Sequence, residues 1–201
     1  MTLEASNTLS GGVVLKDADL RLQIYNAHAL GTGTLRSECT TESAGMARLV
    51  SQVNLSAGSG VPNTLDIPAG SYLGVNADGA NHLLLSGAIT NAGGLYKMGA
   101  GTLTLSGVNT YTGSYTGRTS VVQGILSLSN KNALGIRTEL AITNSVVNLN
   151  YSGMMYISAL KVNGVLQPTG IYSASNLPTY LTGGGLLNTG KPMPGTVIII
   201  R

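Results

Sequence analysis

The chain has 201 residues, of which 28 are glycine, 11 basic and 8 acidic, and it contains neither Phe nor Trp. Glycine stands at about twice its usual share of ~7%, while the scarcity of charge, 9%, beside 43% hydrophobic residues argues against both a helical protein and a disordered one. The net charge of +3 comes from scattered basic residues with no basic run and no interleaved aromatics, so no nucleic-acid platform is expected. No segment approaches the ~18 apolar residues of a membrane span.

Residues 1–36 read as the end of an earlier repeat. The stretch MTLEASNTLS lacks the basic start and apolar run of a signal peptide, so no signal peptide is expected within this chain. Leu20, Ile24 and Ala27 have helical spacing, yet the alternation Leu20, Leu22, Ile24 fits a strand better. Residues 13–31 form a partial copy of a later stretch: Asn26, Ala29, Leu30 and Gly31 return as Asn130, Ala133, Leu134 and Gly135 at one offset. His28 then falls where Asn132 stands, a polar exchange expected of a turn.

Residues 37–82 are less regular. Cys39, the only cysteine, excludes an internal disulfide framework and is expected to be packed rather than paired between chains. Leu49–Leu55 and Tyr72–Val75 look strand-like, and Asn63–Ile67 before Pro68 reads as an edge or terminating strand.

From 83 to 150 a rhythm is plain. LLL at 83–85, LTL at 103–105, LSL at 126–128 and VNL at 147–149 are short apolar alternations bounded by glycine or small polar residues. A strand motif returning every 20 to 23 residues predicts a parallel β-solenoid, each coil burying its apolar face on the next. Leu103, Leu105, Leu126, Leu128, Val147 and Leu149 should then point inward and stack in register, with Gly107 and Gly113 where the backbone turns or approaches closely. Thr138–Thr143 and Ser145–Asn150 read as a pair of short strands.

Residues 93–126 carry a resemblance. Gly93, Gly94, Leu95, Lys97, Gly99, Gly101, Thr102, Leu103, Leu105, Gly107, Asn109, Tyr111, Gly113, Thr119, Val121, Gly124 and Leu126 follow the pattern of the autotransporter-associated β-strand repeat. The departure is Ser114–Arg118, where about four extra residues follow Tyr-Thr-Gly and are expected to form a loop. The segment Ile157–Gly190 is similar to the C-terminal ends of such repeat proteins. The resemblance implies a single-stranded right-handed β-helix, extracellular or on the bacterial outer surface, with a structural or adhesive role and no catalytic residues.

The expected organisation is all-β: solenoid coils over 1–150, with the best repeat at 93–135, a C-terminal cap over 151–190 and a tail over 191–201. Asn163-Gly164 between Ala159–Val162 and Val165–Gln167 signals a hairpin with a type I′ turn. The tail holds Val197, Ile198, Ile199 and Ile200 beyond Pro192 and Pro194. Four such residues need a partner, either their own molecule or the edge of a neighbouring copy, the latter making the protein its own head-to-tail partner.

Candidate chemistry is sparse. His28 and His82 have no partner at ligand spacing, and Asp17 with Asp19 offers only a weak calcium signal, so no metal or cofactor is expected. Glycoside hydrolysis needs two acids facing one another, and the strongest repeat contains none, leaving Glu38, Glu42 and Asp66 as the only candidates for an enzyme. Neither GTGTL nor GAGTL opens a helix as a phosphate cradle must, and no GxSxG occurs. Tyr96, Tyr111 and Tyr115 form either an exposed stripe able to stack on sugars or residues flanking solenoid turns. Tyr111, Tyr115 and Arg118 are accordingly the candidate exposed contacts for a surface glycan. The function expected is that of a noncatalytic stalk, surface or fibre component, with adhesion as the alternative and a polysaccharide-degrading enzyme behind both.

Overall fold

The computed structural model describes residues 1–42, 45–56, 58–111, 117–135 and 138–190. It is a parallel β-solenoid of about seven turns. Val197–Ile200, Gly113 and Tyr115 lie outside the described residues, as do most of the extra residues before Arg118.

The strands fall on three faces, and several coils have no strand on one of them. The first face is a nine-stranded sheet in the order Thr2–Leu3, Arg21–Ile24, Arg48–Ser51, Tyr72–Ala77, Gly94–Met98, Arg118–Val121, Glu139–Ile142, Ala159–Val162 and Val165–Leu166. The second holds His82–Leu85, Thr102–Leu105, Ile125–Leu128, Val146–Leu149 and Leu181–Gly183. On the third, Val13–Leu15, Leu35–Ser37, Leu65–Ile67 and Ile89–Asn91 form one ladder, and Met154–Tyr156 with Leu186–Asn188 resumes it further along. The pairings between coils are parallel. Two antiparallel partners are added: Val165–Leu166 beside Ala159–Val162, and Ile171–Tyr172 beside Leu186–Asn188.

Alternation within each strand sends every second side chain inward. On the second face Leu103 pairs with Leu126 and Leu126 with Val147, while Leu105, Leu128 and Leu149 form the next column, all of them buried. The expected register is the one observed. Replacing Leu105 with Ala should cost about 2–5 kcal/mol, because neighbours on both sides of the rung are held by their own ladders and cannot collapse into the gap. A denaturation midpoint unchanged by that substitution would contradict the packing. The outer side of this face has no Asp, Glu, Lys or Arg in any strand.

The two copies of the internal repeat build their corner with the same set of asparagine bonds. Asn26 Oδ1 accepts from the His28 amide at 2.9 Å, and Asn130 Oδ1 from the Asn132 amide at 2.7 Å. The Asn7 amide donates to His28 O at 3.0 Å as the Asn109 amide does to Asn132 O at 2.9 Å. Asn7 Nδ2 reaches Ala29 O at 2.8 Å, and Asn109 Nδ2 reaches Ala133 O at 2.6 Å. Residues 28 and 132 contribute only backbone here, so His and Asn exchange freely with both side chains exposed.

Several expectations change. Arg21–Ile24 is a strand, as its alternation predicts, and Asp17 and Asp19, the weak calcium signal, lie in the turn before it. Leu65–Ile67 is no edge: it pairs on both sides, because Pro68 stands just past the last residue that needs an amide in the ladder. Glu139–Ile142 and Val146–Leu149 pair with other coils and not with each other, since Asn144, at φ 47°, turns the chain from one face to the next. Residues 151–190, expected as a cap, contain a further coil. Leu160 and Val162 extend the first face, and Leu181 extends the second. Gly183–Gly185 stand in and just after the second-face strand, whereas Pro168 and Pro178 fall in the excursion between these strands. Its start is the expected hairpin, with Asn163 and Gly164 at φ 48° and 80° as a type I′ turn requires.

Candidate functional site

Two departures from plain coil stacking on the first face place charged side chains unusually among the described residues. In a parallel ladder, amides two residues apart on one strand meet carbonyls two apart on the next. The Tyr72 and Gly74 amides instead meet the carbonyls of Cys39 and Ala47, eight apart in sequence. The described residues between them, 40–42 and 45–46, therefore leave the regular path of the coil, and Glu42 comes to lie over the outer surface of the sheet. Cys39 and Ala47 abut at the exit, where the Ala47 amide donates to Cys39 Sγ at 3.3 Å. The thiol is buried there and serves as packing.

The excursion is fixed by contacts further along the solenoid. Met46 is fully buried beside Gly74, where a Cβ would lie 3.0 Å from Arg48 Cγ and 3.2 Å from the Met46 Cγ and Sδ, so glycine leaves room for both side chains. Glu42 reaches past the next coil: its carboxylate accepts from the Tyr96 hydroxyl and from Arg118 Nη2. Arg118 also donates through Nε to the Tyr96 hydroxyl at 3.0 Å, and its guanidinium carbon lies 5.5 Å from the Tyr96 ring centre. Tyr72 meets Tyr96 edge to face at 6.1 Å. Burial pushes the Tyr96 phenol up to about 12. Beyond Arg118, Lys161 pairs with Glu139 at 2.9 Å.

The second departure is inside. The inward column of the first face runs Leu22, Leu49, Val75, Lys97, Val121, Ile142, Val162. Lys97 stands among aliphatic residues with its side chain fully buried. It is tolerated because the chain turns just beyond it: Nζ donates to the carbonyls of Met98 and Gly99, each at 2.7 Å, and of Gln123 at 3.0 Å. Burial lowers its pKa to about 8, against the opposing charge of Asp78.

Of the two described residues expected to make exposed contacts, Arg118 is where a partner could touch it, with 38% of its side chain accessible. Tyr111 must be corrected. It is fully buried, and its hydroxyl meets Thr119 Oγ1 at 2.6 Å. Thr119 stands in a column otherwise made of leucines (Leu73, Leu95, Leu140, Leu160), so a small polar residue receives the inserted phenol. Tyr96 is also almost wholly covered, leaving no tyrosine stripe among the described residues.

The acids do not assemble into a pair aimed at a substrate. Glu38 and Asp66 flank Arg36 on the third face, where Arg36 Nε donates to Glu38 at 2.8 Å and its bond holds that carboxyl below its ordinary value. Glu42, the third candidate, is on the first face. Among the described residues no three His, Cys, Asp or Glu side chains cluster so as to hold a metal ion. Glu42 as a ligand of Arg118 and Lys97 as an inward residue were not foreseen. The Lys97 signal was there, in its alternation with Leu95; Glu42 offered none, since its partners are 54 and 76 residues away. Compared with protein-family models, curated proteins and solved structures, the chain gives no match.

Proposed function

We propose that the chain is a noncatalytic structural β-solenoid of an exported bacterial surface or fibre assembly, of the autotransporter-repeat type, which joins copies of itself end to end. Its repetitive coils, the repeat pattern of residues 93–126 and the engagement of Glu38, Glu42, Asp66 and Glu139 with cations of their own chain support this reading. The observation that carries the assembly is at the last described turn. Its outermost strands expose Val165, Leu166 and Ile171 at 64%, 60% and 49%, and large apolar side chains gain ~1.5–3 kcal/mol each on burial. A surface of this kind at one end of a solenoid favours contact with another end, which does not close into a ring and so grows.

Deletion of Gly195–Arg201 tests the contribution of the tail. A truncated chain that becomes monomeric yet keeps its melting temperature supports end-to-end assembly through Val197–Ile200. One that melts earlier with its oligomeric state unchanged assigns those residues to their own molecule and removes the tail from the assembly.

Adhesion is the second reading, favoured by one observation: the excursion bearing Glu42 lies on a rigid sheet beside the partly accessible Arg118, the arrangement binding loops commonly take. Retention of the chain on immobilised acidic glycans, lost in Arg118→Ala, would favour it over a purely structural role.

A further inference from the structure

In a solenoid each coil ordinarily touches only the coils on either side, so stability is a chain of neighbour terms and the stack frays one coil at a time. The excursion between Cys39 and Ala47 breaks that rule. It leaves the coil of Arg48–Ser51, seats Met46 on Gly74 of the next coil, binds Tyr96 of the coil after that and reaches Arg118 of the third. Four successive coils are thereby touched by one segment, across a span of roughly 14 Å at the usual strand spacing.

Each contact has its own role. At the foot of the excursion Met46 packs close over Gly74, where an added Cβ would crowd both Met46 and Arg48. The Tyr72–Tyr96 edge-to-face contact joins two adjacent coils beneath it. Glu42 closes the far end, accepting from a phenol on one coil and a guanidinium on the next, while Arg118 binds that same phenol. Losing any one coil of the four strands the partners that remain: an opened Arg118 coil leaves Glu42 and Tyr96 without their cation. The Lys161–Glu139 pair further along is an ordinary link between adjacent coils and supplies an internal comparison.

We propose that this excursion is a latch, with Glu42 as its tongue, that makes the four coils from Cys39 to Arg118 open as one unit instead of fraying in sequence. The device is independent of end-to-end assembly, because it lies on the first face and not at an end.

Hydrogen exchange read by mass spectrometry on the full chain, at increasing denaturant below the unfolding transition, tests it. In the wild type, peptides covering 48–51, 72–77, 94–98 and 118–121 should exchange through one opening with a common denaturant dependence. In Glu42→Gln and Glu42→Ala, peptide 118–121 should exchange at least tenfold faster and separate from 72–77, while 139–142 and 146–149 stay within twofold of the wild type. Glu139→Gln, which breaks the ordinary pair, should leave 48–51 and 72–77 unchanged. The latch is overturned if the four wild-type peptides already exchange through separate openings. It is also overturned if both Glu42 variants leave 118–121 within twofold, or speed every strand of the solenoid alike.

Discussion

Replacing Lys97 with Ala is expected to lower stability by about 3 kcal/mol, whereas Lys97→Met should change it by about 1 kcal/mol or less. The alanine removes the stem that fills the column between Val75 and Val121 and also the three bonds from Nζ. Methionine keeps the volume and avoids the cost of burying an ammonium, which offsets the lost bonds. The two variants differ more tellingly in pH dependence. Lys97 is pushed down to about 8 by burial, below its unfolded value of ~10.4. Between those values the unfolded chain binds a proton that the folded chain has released, so stability rises with pH across that window, by on the order of 1–2 kcal/mol once residual solvation at the corner is allowed for. Above pH ~10 the sign reverses. Burial raises the phenols of Tyr96, Tyr111 and Tyr151, so the unfolded chain loses protons that the folded chain keeps. Denaturant midpoints at pH 7.5, 9.5 and 11 should rise and then fall in the wild type and only fall in Lys97→Met. A wild type without the rise would show that Nζ stays charged throughout.

The second large effect is expected at Gly135. A Cβ there would lie 1.6 Å from Tyr111 O and 2.7 Å from its carbonyl carbon, and backbone cannot swing aside as a side chain can. Gly135→Ala must therefore push neighbouring coils apart at the corner that the Asn109 and Asn130 amides hold closed, a cost of about 3 kcal/mol or more. The matching residue in the other copy, Gly31, faces Leu9 N and O at 2.5 Å each and should be as intolerant. Gly184, with nothing within 4 Å of its would-be Cβ, should accept Ala without measurable change in melting temperature. Equal behaviour at 135 and 184 would contradict the close approach. Gly107, expected from the sequence to mark such an approach, has its would-be Cβ 2.3 Å from Gly87 O and falls in the same class.

What could be read from the sequence was whatever recurs or acts locally. The leucine pairs at 103 and 105, 126 and 128 announce their coils through alternation and period, and Asn163-Gly164 announces its turn through the φ values it alone supplies cheaply. The corner of Asn26–Gly31 was visible as a repeat before any of its bonds were known. Contacts made across several coils have no such signature. Glu42 sits in SECTTESAGM, a stretch with neither alternation nor repeat, and only the stacked coils bring it to Tyr96 and Arg118. Tyr111 misled for a different reason. A tyrosine between small polar residues looks like a surface residue, and only the exchange of Leu for Thr119 one coil strand later makes room for its ring and supplies a partner for its hydroxyl.

The uncharged second face gives the molecule sides that answer differently to their surroundings. Its hydroxyl and amide groups at Thr102, Asn148 and Thr182 meet water without a counterion, while Thr104 and Ser127 are buried, Thr104 Oγ1 meeting His82 Nε2 at 2.7 Å. The first and third faces carry the ion pairs of Arg118, Lys161 and Arg36, whose fields reach only about 8 Å at physiological ionic strength and shrink as salt rises. A change in ionic strength thus alters how the molecule attracts or repels on two of its flanks and leaves the hydration of the third as it was. Lateral neighbours could be gained or shed by salt along one pair of flanks while contacts on the remaining flank persisted.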